Sequence, residues 1–285
     1  MSSMISRRLA AAGAAALALL AAGFVYAQGQ GGQQAPPPTP KAAAPIDLTG
    51  YWVSFVDEDW RWRMVTPPKG DYASVPITLA AKEAADKWDP AKDEAAGEQC
   101  RSYGAPAIMA VPERVHITWQ DDNTLKVETD AGQQTRLFHF GNWKPAANAA
   151  AGWQGDSVAE WEVAGGRGGR GGGGGRGGRG GAGTGDAAPP PAPKFGDLKV
   201  VTTHIRPGYL RKNGIPYSAQ TVLTEYWDVS AEKLLSGPHK DEQWMVITTE
   251  VHDPQNLAED WITSLQFKKE PDGSKWDPQP CSSRW

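Results

Sequence analysis

The feature that most constrains this fold is a succession of short segments rich in β-branched and aromatic residues and separated by turn residues. In residues 111–119, the apolar Val115 and Ile117 alternate with the polar Arg114 and His116, as in a strand with one buried face. The other predicted strands are residues 50–56, 124–129, 134–140, 157–163, 198–206, 221–228, 243–252 and 261–268, with residues 60–65 as an additional candidate.

Strands in this number, joined by short turns, predict an all-β fold of about eight or nine strands. We expect an antiparallel up-and-down barrel, because closing the sheet removes its exposed edges. A barrel of about eight strands can hold one small ligand. Only residues 77–88 have a helical composition, and Thr78 is a candidate N-cap for that short helix.

Residues 1–27 have the pattern of a signal peptide. Arg7 and Arg8 precede an Ala-rich apolar stretch, and Val25-Tyr26-Ala27 suits a signal peptidase. The stretch is shorter than the roughly 20 residues of a transmembrane helix, so cleavage after Ala27 is favoured over an uncleaved anchor. We therefore expect a periplasmic or secreted protein that does not span the membrane after cleavage.

Two segments of low complexity interrupt the rest of the chain. Residues 28–45 form a linker rich in Gln, Gly and Pro, and residues 165–194 form an insert rich in Gly, Arg and Pro. Both are expected to be disordered, because they bury too little apolar surface to offset the entropy of ordering. The remainder predicts one barrel domain over residues 46–285, with the insert joining two strands of a hairpin.

The charge distribution argues against a nucleic-acid partner. The chain has 29 Lys and Arg and 33 Asp and Glu, but eight of the basic residues and one acidic residue lie in the signal, linker and insert. The expected domain is therefore strongly acidic, whereas nucleic-acid-binding domains usually have a basic surface. Arg-Gly-Gly repeats bind RNA in some proteins, but export would separate this insert from cellular RNA.

Cys100 and Cys281 are the two cysteines of the chain. An oxidising compartment lets a disulfide persist, and only one intramolecular pairing exists. The alternatives are a free buried thiol and a catalytic thiol, which needs a nearby base that neither cysteine has in its local sequence. We therefore expect a Cys100–Cys281 disulfide.

Six short motifs lie along the expected domain. They are Val111-Pro112-Glu113-Arg114-Val115, Asp130-x-Gly132-x-x-x-Arg136, Trp153-Gln154-Gly155-Asp156-Ser157, Gly214-Ile215-Pro216, Gln220-x-x-Leu223-x-Glu225 and Val251-x-Asp253-Pro254. As a set they resemble a broad group of uncharacterised exported bacterial proteins with lipocalin-like (calycin-like) barrels. Thr49-Gly50-Tyr51-Trp52 is also similar to the Gly-x-Trp signature of the first lipocalin strand. The resemblance implies the barrel and carries no activity with it.

The cluster Trp60-Arg61-Trp62-Arg63 is the most distinctive local feature. In an extended strand Arg61 and Arg63 share one face, and two guanidinium groups on one face can bind a carboxylate or phosphate. Alternatively, the arginines pair with the acidic residues 57–59 while the tryptophans pack in the core.

Glu225 shares a strand face with the apolar Leu223 and Trp227, and a buried carboxylate needs a partner. The candidate partners are Arg136, Arg206 and His204. If His204 and Glu225 line one cavity, they are a candidate catalytic acid–base pair; the alternative is a structural ion pair.

Residues 204–214 contain Gly and Pro and are expected to form a rim or lid at the barrel mouth. The candidate ligand-binding residues are Trp52, Arg61, Arg63, Arg136, His139, Arg206, Tyr209 and Trp227. No two histidines have close metal-ligand spacing, and no phosphate-binding loop or nucleophile elbow is present. Neither a metal nor a cofactor is predicted, although a barrel could bring His116, His139 and His204 together.

Three functions are consistent with these features. The first is an exported barrel that binds a small, mainly apolar ligand with a polar or acidic group. The second is a cofactor-independent isomerase, cyclase or hydrolase that uses His204 and Glu225. The third is an envelope interaction protein that acts through the Gly/Arg insert, whose positive charge attracts anionic polymers.

Overall fold

A computed structural model describes residues 36–163, 196–230 and 242–284. Thr39–Trp285 is one compact unit, and of the other unit, Met1–Pro38, only residues 36–38 are described. The predicted signal peptide, the first part of the linker and the Gly/Arg insert therefore lie outside the described residues. Among the helices that are described, none has the length and apolarity needed to cross a membrane.

The architecture is a closed barrel of nine strands, which confirms the predicted fold class. The barrel strands are β1 (Gly50–Phe55), β2 (Arg114–Trp119), β3 (Thr124–Thr129), β4 (Thr135–Phe140), β5 (Asp156–Val163), β6 (Gly196–Thr203), β9 (Val222–Val229), β10 (Trp244–His252) and β11 (Trp261–Glu270). Two short strands, β7 (Gly208–Tyr209) and β8 (Pro216–Tyr217), form a separate hairpin. The helical segments are α1 (Pro40–Ala43), α2 (Trp60–Arg63), α3 (Leu79–Asp86), α4 (Pro90–Ala95), a 3₁₀ helix (Gln99–Tyr103) and α5 (Ala105–Ile108).

Strand neighbours follow the order of the chain, and β11 closes the ring on β1. All neighbouring pairs are antiparallel except β4 and β5, which are parallel. Strand direction cannot alternate all the way around a ring of nine, so one parallel pair is required. The barrel is therefore mixed rather than wholly antiparallel.

The barrel centre is filled by side chains from alternate positions of the strands. Trp52, Phe138, Trp227 and Phe267 are fully buried there. The Trp52 indole N–H donates to the carbonyl of Leu48 at 2.9 Å, which satisfies its one polar group inside the core.

Residues 60–65 do not form the additional strand considered from the sequence. They contain the helical turn α2, which begins after Asp59 in a left-handed conformation with φ of 53°. Residues in a helix follow one another at about 100°, so Arg61 and Arg63 point to nearly opposite sides. The prediction that they share one face is therefore wrong.

The other elements agree with the sequence more closely. The predicted helix is α3, and the Thr78 hydroxyl accepts a hydrogen bond from the N–H of Ala81 as its N-cap. The Cys100–Cys281 disulfide is confirmed and ties the C-terminal tail to the 3₁₀ helix. Strands β5 and β6 are antiparallel, and the last residue of β5, Val163, pairs with the first residue of β6, Gly196, so the insert joins the two strands of one hairpin, as predicted.

Candidate functional site

One end of the barrel is covered by a cap. The cap consists of the connections between β1 and β2, between β6 and β9, and between β10 and β11. It has its own apolar cluster, formed by Tyr72, Val75, Ala85, Ala105, Ile205, Leu210, Ile215, Tyr217, Leu223, Val251, Leu257 and Trp261. Three of these, Leu223, Val251 and Trp261, belong to barrel strands, so the cap packs directly on the barrel end.

A cavity of about 410 Å³ lies where the cap meets the barrel, and we call it the mouth cavity. Its walls come from α2, from residues 210–212 and from the first half of β11. The large side chains in these walls belong to Trp62, Arg63, Leu210, Arg211, Trp261 and Leu265. This volume lies in the usual range for small-molecule sites, about 300–1,000 Å³.

Arg63 is buried in the wall of the mouth cavity. Its Nε donates to the carbonyl of Ala110 at 2.8 Å and its Nη2 to the hydroxyl of Ser54 at 2.9 Å. Its Nη1 is buried and has no hydrogen-bond partner among the described residues. Burial lowers the pKa of Arg63, but an arginine remains charged at neutral pH. The wall therefore contains a positive group with one unused donor.

Arg211 provides a second buried guanidinium in the same wall. Its central carbon lies 4.7 Å from the ring centroid of Trp62 and 5.6 Å from that of Trp261. The two indoles thus stabilise it by cation–π contacts. Glu58 and Asp59 also line the cavity, and a carboxylate oxygen of Asp59 lies 3.6 Å from Nη2 of Arg211.

A second cavity of about 600 Å³ lies beside the C-terminal tail, and we call it the lateral cavity. Its polar wall is formed by Tyr103, Glu113, Arg114, Asp130, Lys212, Gln279 and Ser282. Lys212 lines both cavities, so the two sites are neighbours across this side chain.

Glu113 is a buried acidic residue in the wall of the lateral cavity. The residue is 5% exposed, and neither of its carboxylate oxygens has a hydrogen-bond partner in the described structure. Burial, reinforced by the nearby carboxylate of Asp130, raises the pKa of Glu113 well above its usual value. This residue can therefore hold a proton at a pH at which exposed carboxyl groups are ionised.

Lys212 and Tyr103 form a polar pair in the lateral cavity. Nζ of Lys212 lies 2.6 Å from the hydroxyl oxygen of Tyr103 and 4.4 Å from the centroid of its ring. Burial lowers the pKa of Lys212 to about 8 and raises the pKa of Tyr103. Burial therefore favours the neutral form of both side chains.

Inside the barrel, Arg136 and Glu225 form a fully buried ion pair. Nη1 and Nη2 of Arg136 donate to the two carboxylate oxygens of Glu225 at 2.8 and 2.5 Å. Arg136 is thus the partner that the sequence left open among three candidates. Both carboxylate oxygens are bound by the guanidinium, so the geometry is that of a structural ion pair.

The structure does not bring His204 to Glu225. Strand β6 ends at Thr203, and His204 follows with φ of 54°. Its side chain is 42% exposed, and its Nδ1 lies 2.7 Å from a carboxylate oxygen of Asp156. An exposed histidine with its own partner and a fully buried, paired glutamate do not form an acid–base pair, so this geometry gives the enzymatic alternative no support.

Of the eight predicted ligand-binding residues, only Arg63 lines the mouth cavity. Trp52 and Trp227 pack in the core. The hydrogen-bond partners of Arg61, Arg206 and Tyr209 are Asp71, Glu98 and Asp93. His139 stacks on Trp143 with ring centroids 3.9 Å apart, and burial lowers its pKa.

The three strand histidines considered for a metal site have separate neighbours. His116 stacks on Tyr51, whereas His139 and His204 contact Trp143 and Asp156. Within residues 36–163, 196–230 and 242–284, no group of three or more His, Cys, Asp or Glu side chains is arranged to hold a metal ion.

Sequence reasoning missed Arg211, Lys212 and Trp261 as cavity residues. Two of them lie in residues 204–214, which were expected to form a rim of the barrel mouth, and this placement was their only signal in the sequence. Comparison of the chain with protein-family models, curated proteins and solved structures found no match. The structure itself defines the class of protein: a capped, closed nine-stranded barrel with two cavities at its covered end.

Proposed function

We propose that this chain is an exported, lipocalin-like barrel protein that binds a small, mainly apolar molecule with an acidic group. The site is the mouth cavity. The observation that carries the proposal is the buried Nη1 of Arg63, a charge-bearing donor that has no hydrogen-bond partner among the described residues and lies in a cavity wall with aromatic and aliphatic surface. A carboxylate or similar anion would supply the missing acceptor.

The cavity wall suits both parts of such a ligand. Trp62, Leu210, Trp261 and Leu265 offer apolar surface, whose burial contributes roughly 25 cal/mol per Å². The wall also contains three cationic side chains, those of Arg63, Arg211 and Lys212, together with the carboxylates of Glu58 and Asp59. The barrel centre itself is filled by side chains, so the ligand would be held beneath the cap rather than deep in the barrel.

The Cys100–Cys281 disulfide is compatible with export, since such bonds persist in oxidising compartments. The Gly/Arg insert lies outside the described residues, so its role in envelope binding stays a prediction from the sequence.

Isothermal titration calorimetry with octanoate and 1-octanol tests the proposal, because the two molecules share a chain and differ in charge. We expect octanoate to bind at least tenfold more tightly, which corresponds to about 1.4 kcal/mol. No heat of binding with octanoate at millimolar concentration, or equal affinity for octanol, would overturn the proposal. This comparison uses the unaltered protein and needs no variant.

A matched pair of arginine variants then locates the acidic group. Arg63→Met is expected to reduce octanoate affinity at least tenfold while changing octanol affinity little. Arg61→Met is the control, because Arg61 lies in the same helical turn but pairs with Asp71 outside the cavity. An equal loss of affinity in both variants would show that Arg63 does not contact the anion.

A further inference from the structure

The lateral cavity combines three side chains that the proposed ligand site does not use together: an amine, a phenol and a carboxyl group. They belong to Lys212, Tyr103 and Glu113, which all lie in the cap: Lys212 in the connection between β6 and β9, Tyr103 in the 3₁₀ helix, and Glu113 in the segment before β2. Of these, only Lys212 also lines the mouth cavity.

The Lys212 amine lies close to a hydroxyl group and is largely shielded from water. The residue is 5% exposed, and its Nζ lies 2.6 Å from the Tyr103 hydroxyl. Transfer of an ammonium group from water into a protein interior favours the neutral amine, which is the nucleophilic form. With a pKa of about 8, about one Lys212 in eleven is neutral at pH 7, compared with about one in 2,500 for an ordinary lysine.

Tyr103 is held in place to exchange protons with that amine. Its hydroxyl oxygen accepts a hydrogen bond from the backbone N–H of Ser282 at 3.3 Å. Cys281, the residue before Ser282, is bonded to Cys100 in the same 3₁₀ helix as Tyr103. The disulfide therefore holds the backbone N–H of Ser282 close to the 3₁₀ helix, where it donates to the Tyr103 hydroxyl.

Glu113 is the second, independent sign that the lateral cavity receives a ligand. Its carboxyl group is buried, lines the cavity and has no hydrogen-bond partner among the described residues. Leaving a buried polar group unpaired is costly, so a ligand that hydrogen-bonds with this group would recover that free energy.

From this arrangement we propose that Lys212 reacts reversibly with small, polar aldehydes or ketones in the lateral cavity to form an imine. The lone pair of Nζ forms a bond to the carbonyl carbon, and the carbonyl oxygen takes a proton from Tyr103. The nitrogen of this carbinolamine then returns a proton to Tyr103. Glu113 protonates the hydroxyl group, which leaves as water while the nitrogen lone pair forms a C=N bond, and the proton that remains on the nitrogen of this iminium ion returns to the Glu113 carboxylate. One water molecule is released, and nothing is oxidised or reduced.

Mapping of reductive alkylation on the unaltered full chain tests the proposal. The protein is treated with a limiting amount of propanal and with cyanoborohydride at pH 7, and each propylated lysine is quantified by peptide mass spectrometry. Lys92, whose side chain is 82% exposed, is the internal reference. We expect Lys212 to be labelled at least tenfold faster than Lys92. Labelling of Lys212 at the same rate or more slowly would overturn the proposal, because a purely structural, enclosed lysine would be protected.

The pH profile and two tyrosine variants separate catalysis from simple access. The labelling rate at Lys212 should level off above about pH 8, whereas the rate at Lys92 should continue to rise. Tyr103→Phe should slow labelling of Lys212 at least tenfold with unchanged circular dichroism. Tyr209→Phe is the control, because the Tyr209 hydroxyl bonds to Asp93 instead. Equal rates in both variants would remove Tyr103 from the mechanism.

The propanal and octanoate experiments probe different cavities and different chemistry, so either proposal can fail alone. If Tyr103→Phe does not fold, the labelling map and pH profile of the unaltered chain still decide the question.

Discussion

The buried pair of Arg136 and Glu225 makes a quantitative prediction about stability. Both side chains are 0% exposed, and two hydrogen bonds join them. Glu225→Gln keeps the shape of the side chain but removes its charge, which leaves the guanidinium of Arg136 buried without a counter-charge. Breaking one side of such a pair typically costs about 3–5 kcal/mol of unfolding free energy, a large part of the roughly 5–15 kcal/mol of a typical domain.

A double substitution tests the physical reason for this loss. Replacing both partners with apolar residues, in Arg136→Met/Glu225→Leu, removes the uncompensated charge together with the cost of burying it. Such replacements are often neutral or stabilising. We therefore expect the double variant to be more stable than Glu225→Gln by about 3 kcal/mol or more.

Urea unfolding followed by tryptophan fluorescence measures these differences, with equal slopes required for comparison. Lys82→Gln is the control, because the Lys82–Asp86 pair is 50% and 42% exposed and its loss should leave the midpoint unchanged. The reasoning is refuted if Glu225→Gln costs less than about 1 kcal/mol, or if the double variant is no more stable than the single one.

Removal of the disulfide by Cys100→Ser/Cys281→Ser should lower the unfolding free energy by about 2–5 kcal/mol, because the bond closes a separation of 181 residues; an unchanged thermal midpoint would contradict this. Burial raises the pKa of Glu113, so its stability contribution is complete below the unfolded pKa of about 4.3 and is lost as the pH rises toward the folded pKa. Glu113→Gln should therefore match the unaltered protein at pH 4 and exceed its stability at pH 8 in urea titrations, and identical pH dependence would show that Glu113 is not buried as an acid. His204→Asn should change the unfolding free energy by less than about 1 kcal/mol, because the pair with Asp156 is exposed. Asn tolerates the same left-handed backbone conformation as His204. A loss above about 2 kcal/mol in the same titration would show that His204 has a larger role in stability.

Much of the barrel could be predicted because strand signals are local. The nine barrel strands lie within three residues of predicted segments, and β3 has the predicted bounds. The four residues of α2 were misassigned since Trp and Arg alternate there, and one helical turn is too short to show a helical period. Arg63 donates hydrogen bonds to Ala110, which is distant in the sequence, and to Ser54, which lies in β1. These two contacts help to stabilise the helical turn.

The candidate site was harder to predict for a related reason. Arg211 and Lys212 lie in an irregular part of the cap, where no periodicity indicates the direction of a side chain. Glu113 lies in the predicted strand 111–119 on the same face as Val115 and Ile117, but in the structure it precedes β2, so its place in a cavity wall depends on the path of the segment before that strand. Such positions become interpretable only when the path of the cap across the barrel end is known.

The sequence by itself determined the all-β class, the short helix α3 and the single possible disulfide, because these depend on alternation, composition and cysteine number within the chain. Only the tertiary structure decided that Arg136, rather than Arg206 or His204, pairs with Glu225. Only it placed Lys212 beside Tyr103 and left the Glu113 carboxylate in a cavity without a hydrogen-bond partner among the described residues. The physical reason is that strand periodicity is carried by neighbouring residues, whereas contacts between distant side chains depend on strand register and the route of the connecting loops.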